Sequence, residues 1–235
     1  MIRLAVIGNP IEHSRSPDIH HAFAAGLGLD VQYERILGQA FAQDVERFFA
    51  EGGVGLNVTV PFKGDAFELA AERTPRAELA QAVNTLSKLD DKSAAPVPLR
   101  GDTTDGAGLV ADLVSNHGAS LADRRVLVLG AGGAVRGVLD DLAEAGVASI
   151  DVLNRTHSRA AALEGRFRLV RAIGLETAGE AYDAIINGTS AGLSQEAPAL
   201  PVGAVAGGTV GYEMVYGPRD TPFMADLRRQ GAALV

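Results

Sequence analysis

The chain contains no cysteine, which excludes disulfides and thiolate metal sites and leaves the redox compartment unread. It has no Lys/Arg block. With a formal net charge of −8 it offers no concentrated basic face, so no nucleic-acid partner is expected. No apolar run approaches the ~20 residues that span a bilayer, and the short run from Ile2 to Ile7 is too brief for a signal segment. A soluble cytoplasmic protein without a membrane partner is therefore expected. Internal repeats, heptads and low-complexity tracts are also missing. What remains is 235 residues, 47% hydrophobic, enough for one large or two small globular domains.

The chain is organised around Arg125 to Val138, RVLVLGAGGAVRGV, where an apolar run enters a glycine turn and leaves as a helical pattern. That is the opening of a dinucleotide-binding βαβ unit: Gly130 for the tight turn, Gly132 for close approach of a pyrophosphate, and a helix start with unpaired N–H groups. Val135 stands at the third fingerprint position, where glycine or alanine is usual. About 20 residues on, where an NAD site places a carboxylate, the strand Ser149 to Leu153 runs into Asn154-Arg155-Thr156, with Arg159 beyond. Guanidinium groups bind a 2′-phosphate that a carboxylate would repel, so these arginines point to NADP.

Before this unit lies a second βαβαβ series. Ile2 to Gly8 reads as a buried strand, followed by a turn through Ser14-Arg15-Ser16-Pro17 and a helix expected to start at Pro17 or Asp18 with Ser16 as its N-cap. The two hydroxyls flanking Arg15 either cap the helix or hold a carboxylate; the segment does not choose. A strand from Gln32, a helix from Phe41 and a strand Gly55 to Val60 follow, the last placing Lys63 just past a carboxyl edge, where open parallel sheets bind ligands. A solvated surface residue is the plainer reading of a lone lysine there. Ala82 to Leu86 and Val97 to Asp102 bracket the polar loop Asp90 to Pro96 and read as an antiparallel hairpin at the edge of this sheet. Asp105 reads as a cap or turn aspartate before a helix Gly108 to Asn116. Further strands are expected at Arg168 to Ile173, Tyr182 to Asn187 and Gly208 to Val215. A small-residue turn, Gly188 to Gly192, a helix Pro222 to Gln230 and a last strand from Ala232 complete the pattern. The pair His20 and His21, with no second ligand at helical spacing, reads as structural.

In this order the segments GNPIEHSRSP, GLNVTVPFK, AVNTL, GDTTDGAGL, VLVLGAGGAVRGV, LNRTHSR, IINGTSAGL and MVYGP resemble the shikimate dehydrogenase family over essentially the whole length. The resemblance implies two α/β domains: a substrate-binding domain, residues 1–102, with a mainly parallel sheet, and a doubly wound Rossmann domain for NADP, residues 103–235. It implies the reversible NADPH-dependent reduction of 3-dehydroshikimate to shikimate. Ser14 and Ser16 would hold the substrate carboxylate, and Thr59, Asn84 and Asp105 would meet the ring hydroxyls. Lys63 and Asp105 would form the acid/base pair, with Tyr216 lining the same pocket. On the cofactor side it implies Gly130, Ala131, Gly132, Gly133 and Ala134, then Asn154, Arg155, Thr156 and Arg159, with Thr189 and Met214 nearer the nicotinamide. A homodimer is a further expectation.

The departures from the family pattern are Thr103 for asparagine, Gly188 for alanine, and Gly211-Tyr212-Glu213 where Cys-Tyr-Asp is common. The two glycines are expected to loosen cofactor-side strand ends. The family's C-terminal GxxMLVxQ segment and helices do not follow the last strand, so weaker substrate binding is expected. The rival readings are a quinate or aminoshikimate dehydrogenase of the same family, and a nucleotide-binding module without turnover.

Overall fold

The computed structural model describes residues 1–89, 97–177, 179–189, 191, 196–217 and 219–234. The chain divides into two compact units, Met1–Thr104 and Asp105–Val235. The expected loop Asp90 to Pro96, and Ser190 and Gly192 of the small-residue turn, lie outside the described residues.

The first unit runs β1 (Ile2–Gly8), α1 (Ser16–Leu27), β2 (Val31–Leu37), α2 (Phe41–Ala50), β3 (Gly55–Val58), α3 (Lys63–Leu69), β4 (Glu72–Arg73), α4 (Pro75–Ala80), β5 (Thr85–Lys88) and β6 (Leu99–Asp102). Its strands order β2-β1-β3-β5-β6-β4. β1 pairs in parallel with both β2 and β3. Being central, β1 is buried on both faces, and its alternation divides it between two cores. Ala5 and Ile7 face Phe41, Val45, Phe48 and Phe49 of α2, while Val6 packs with Ile11 and Tyr33. The buried residues of α2 recur at helical spacing, which is why this stretch is a helix pressed on a sheet.

β5 and β6 form the expected antiparallel hairpin. It is not the edge of the sheet, however, because β4 pairs in parallel with β6 outside it. β3 stops at Val58 rather than Val60. The expectation for Ser16 is also corrected. Ser16 is the first residue of α1, the N-cap is Arg15, and no side chain caps the helix. The Ser16 hydroxyl is engaged elsewhere, as described below.

The second unit runs α5 (Asp105–Ala111), a π-turn (Asp112–Asn116), β7 (Arg125–Leu129), α6 (Gly133–Glu144), β8 (Ser149–Leu153), α7 (His157–Ala161), β9 (Val170–Ile173), β10 (Ala184–Asn187), β11 (Val210–Glu213), α8 (Pro222–Arg229) and β12 (Ala233–Leu234). The helix expected from Gly108 thus begins at Asp105 and widens into the π-turn. There Asp112 accepts hydrogen bonds from Tyr212 Oη at 2.9 Å and Asn116 Nδ2 at 2.7 Å. All strands are parallel, in the order β12-β11-β10-β7-β8-β9. Read from the other edge this is the doubly wound order 3-2-1-4-5-6, whose ligand crevice opens where the winding reverses, between β7 and β10.

Candidate active site and cofactor site

In the first unit the predicted residues gather at the ends of β1, β3 and β6. Two hydrogen-bonded runs tie several of them, one joining Ser14 to Ser16 and one leading from Tyr33 to Asn84 and Thr104. Ser14 Oγ donates to Ser16 Oγ at 3.2 Å, and Ser16 lies beside the Tyr33 phenol, whose pKa burial pushes up to about 12. Tyr33 Oη donates to Asn57 Oδ1 at 2.6 Å. Asn57 Nδ2 then donates to Thr85 Oγ1 at 3.4 Å, and Thr85 Oγ1 to Asn84 Oδ1 at 2.8 Å. Asn84 Nδ2 donates to Thr104 Oγ1 at 3.0 Å. His20 stacks on Tyr33 with ring centroids 4.4 Å apart.

Ser14 is buried, and its carbonyl accepts both Nε and Nη2 of Arg35, at 2.9 and 2.6 Å. That fork fixes the turn bearing the two serines. Asn84 is fixed from the other side: its N–H donates to Asp102 O at 2.9 Å. The Asp102 carboxylate accepts the Arg76 guanidinium at 2.8 and 2.6 Å, Thr74 Oγ1 at 2.6 Å and Thr103 N–H at 2.8 Å. Arg76 above all holds its pKa down at about 2. Lys63 is half-buried at the first position of α3, and its carbonyl accepts Val83 N–H at 2.9 Å, one residue from Asn84. Thr59 lies in the turn between β3 and α3, its N–H donating to Ile7 O at 2.9 Å.

In the second unit Asp105 opens α5. Gly130 ends the β7 run with φ +105°, a conformation that requires glycine. Gly132 is the N-cap of α6, with no side-chain cap and no acidic residue in the first turn. A β-carbon built on Gly132 would meet nothing within 4 Å. Among the described residues the protein's own packing therefore does not need that glycine, and no side chain caps the first turn of α6. Both features suit a dinucleotide pyrophosphate. Ala131 is buried beside them, and Gly133 and Ala134 begin the helix.

At the end of β8, Asn154 Nδ2 donates to Thr156 O at 2.8 Å, shaping the turn from which the exposed Arg155 and Arg159 project. Across the switch point, Gly188 follows β10. A β-carbon there would lie 2.5 Å from Val135 Cγ2 and 3.2 Å from Met214 Sδ. The expected loosening at Gly188 is thus corrected: this glycine makes room for the fully buried Val135. Asn187, also fully buried, accepts Thr189 N–H at 3.1 Å and Thr189 Oγ1 at 2.8 Å on its Oδ1, and its carbonyl accepts Met214 N–H at 3.0 Å. An open pocket of about 280 Å³ at the end of β11 is lined by Glu213, Tyr216 and Met224 among others.

Tyr33, Asn57, Thr85, Asn187 and Glu213 were not singled out by sequence. Their signal is a polar residue at an inward strand position: Asn57 between Leu56 and Val58, and Asn187 closing the apolar run Ala184-Ile185-Ile186.

Comparison with known proteins places these features in a family. A family described as the shikimate dehydrogenase substrate binding domain matches residues 6–86. One described as shikimate / quinate 5-dehydrogenase matches residues 112–195. The shikimate dehydrogenase (NADP(+)) of Halorhodospira halophila is 50% identical over 234 residues, 98% of this chain and 85% of that protein. Among solved structures, an Ael1 enzyme from Pseudomonas putida superposes with a TM-score of 0.89 at 40% identity, over 100% of this chain and 87% of that one. Shikimate 5-dehydrogenase from Thermus thermophilus, in complex with NADP(H) and shikimate, gives a TM-score of 0.86 at 32% identity, over 100% and 87%.

Proposed function

The chain belongs to the shikimate dehydrogenase family, and we propose that it interconverts 3-dehydroshikimate and shikimate with NADPH and NADP. The observation that carries the substrate end is the hydrogen-bonded run from Tyr33 through Asn57 and Thr85 to Asn84, with the bonded pair Ser14 and Ser16 beside Tyr33. It sets the serines assigned to the carboxylate next to the network that fixes Asn84, assigned to the ring. Bound at the α6 N-terminus, the cofactor supplies the hydride and its electrons.

The residues then have separate tasks. Ser14 and Ser16 turn their hydroxyls to the substrate carboxylate, and Thr59 and Asn84 meet the ring. Reduction builds negative charge on the carbonyl oxygen, and the Lys63 ammonium donates the proton that neutralises it. When the alcohol is oxidised the Lys63 amine takes that proton back, and Asp105 shares in the exchange as the second member of the acid/base pair. Arg155 and Arg159 hold the 2′-phosphate, the backbone from Gly130 to Ala134 holds the pyrophosphate, and Thr189 and Met214 flank the ring that reacts. Tyr216 lines the substrate pocket. The reaction is assigned to the cytoplasm.

The test is a spectrophotometric assay of NADPH formation from NADP with shikimate, repeated with quinate. Turnover with shikimate well above that with quinate is the expected result. Turnover with quinate alone, or NADP binding without turnover, would overturn the proposal.

A further inference from the structure

Beyond the residues already assigned, we infer that Glu213 is a positioning residue for the cofactor, acting through the buried Asn187 on Thr189. The inference rests on the reading that Thr189 flanks the nicotinamide.

Glu213 ends β11 beside Asn187, which ends β10. Its carboxylate gathers three donors: Asn187 Nδ2 at 3.0 Å and Thr221 Oγ1 at 2.7 Å on Oε2, and Val215 N–H at 3.2 Å on Oε1. An ionised carboxylate can only accept. Asn187 must therefore turn its NH₂ toward Glu213 and its oxygen toward Thr189, where that oxygen accepts both the N–H and the hydroxyl of Thr189.

Two consequences follow for the turn beyond β10. Thr189 is tied at two atoms, and its hydroxyl proton is committed inward. Its oxygen already accepts Ala191 N–H at 3.3 Å and presents outward only as an acceptor. The same Asn187 holds Met214 N–H by its carbonyl at 3.0 Å. Glu213 thereby fixes Thr189, one of the two residues assigned to the nicotinamide, without itself being one of them. Glutamine is no substitute, since its single acceptor oxygen cannot serve donors on both sides and its NH₂ must face another N–H.

The experiment varies NADP and shikimate separately in E213Q, E213D, T221V and T189V, with thermal melting of each. We expect E213Q to raise KM for NADP about tenfold while KM for shikimate stays within twofold. E213D, which keeps the carboxylate, should return KM for NADP to within threefold of the parent. T221V removes one donor and the N-cap of α8, where Thr221 accepts Met224 N–H. It should lower the melting temperature yet leave KM for NADP within twofold, separating stability from positioning. Should E213Q not fold, N187S breaks the relay with Glu213 in place and carries the same expectation. The inference is overturned if T189V raises KM for NADP and E213Q (or N187S) does not, or if both KM values rise together. A T189V enzyme with unchanged KM for NADP would instead overturn the placement of Thr189 at the cofactor.

Discussion

Val135 occupies the space that an alanine methyl at position 188 would need: a β-carbon on Gly188 would lie 2.5 Å from Val135 Cγ2. The large residue at the third fingerprint position and the glycine at the β10 end are thus one exchange of volume across the switch point, not two independent departures. Val135 Cγ2 also lies 3.2 Å from where a β-carbon on Gly130 would be, so the exchange reaches the pyrophosphate turn. G188A should destabilise by about 1–3 kcal/mol through overpacking. In the double variant V135A/G188A the losses should be less than additive, by about 0.5–3 kcal/mol. Denaturant unfolding of the two single variants and the double checks this; additive losses would show that the positions are not coupled.

K63A should lower kcat by about 10²–10⁴-fold, the usual span of general acid–base catalysis, with KM for shikimate little changed. Steady-state kinetics in the direction of NADP reduction reads both. A kcat within tenfold of the parent would remove Lys63 from the proton-transfer role.

R155A should weaken NADP by roughly tenfold or more, since a charge-assisted hydrogen bond contributes about 1.5–3 kcal/mol. KM for NAD should stay the same. Equal losses for the two cofactors would mean that Arg155 does not meet the 2′-phosphate.

Asp102 gives a pH dependence whose sign is fixed. Its carboxyl is held at about 2 in the fold, chiefly by Arg76, below the ~3.9 of a free aspartate, so the unfolded chain takes up the proton first. Its contribution to stability is complete above about pH 4 and fades as the pH falls toward 2. D102N should melt below the parent at neutral pH, with the gap narrowing over that window. A gap that does not change between those pH values would show that the Arg76–Asp102 pair is not its source.

Thr103 is 2% exposed, and its hydroxyl has no hydrogen-bond partner among the described residues. Burying it unpaired is unfavourable, so T103V, equal in shape, should melt at or above the parent temperature. A clear drop would reveal a partner for that hydroxyl.

The glycine turn after β7 and the alternation of strands and helices in the second unit were legible because strand and helix periods are long enough there to declare themselves. β4 and α4 were not. Two residues carry no alternation and six no helical stripe, and only Thr74 before Pro75 marks the start; Thr74 does cap α4, accepting Ala77 N–H at 3.3 Å. Ser16 misled for a different reason. Its type suits an N-cap, but its hydroxyl accepts from Ser14 Oγ and the residue lies beside Tyr33, a tertiary contact that local spacing cannot register. Glu213 and Asn187 were opaque in the same way, since each is informative only once β10 and β11 lie side by side.

Tyr33, Asn57, Thr85 and Asn84 are joined by hydrogen bonds within the first unit, and this moves an entropic cost from one process to another. Freezing a polar side chain at a binding surface costs about 0.5–1.5 kcal/mol when it happens on association. Tyr33, Asn57, Thr85 and Asn84 lose that freedom when the first unit folds, because each already has a hydrogen-bond partner among them. The fold is correspondingly less stable than its buried area suggests, and a small, polar, singly charged acid can be bound by few contacts without first having to order the groups that receive it.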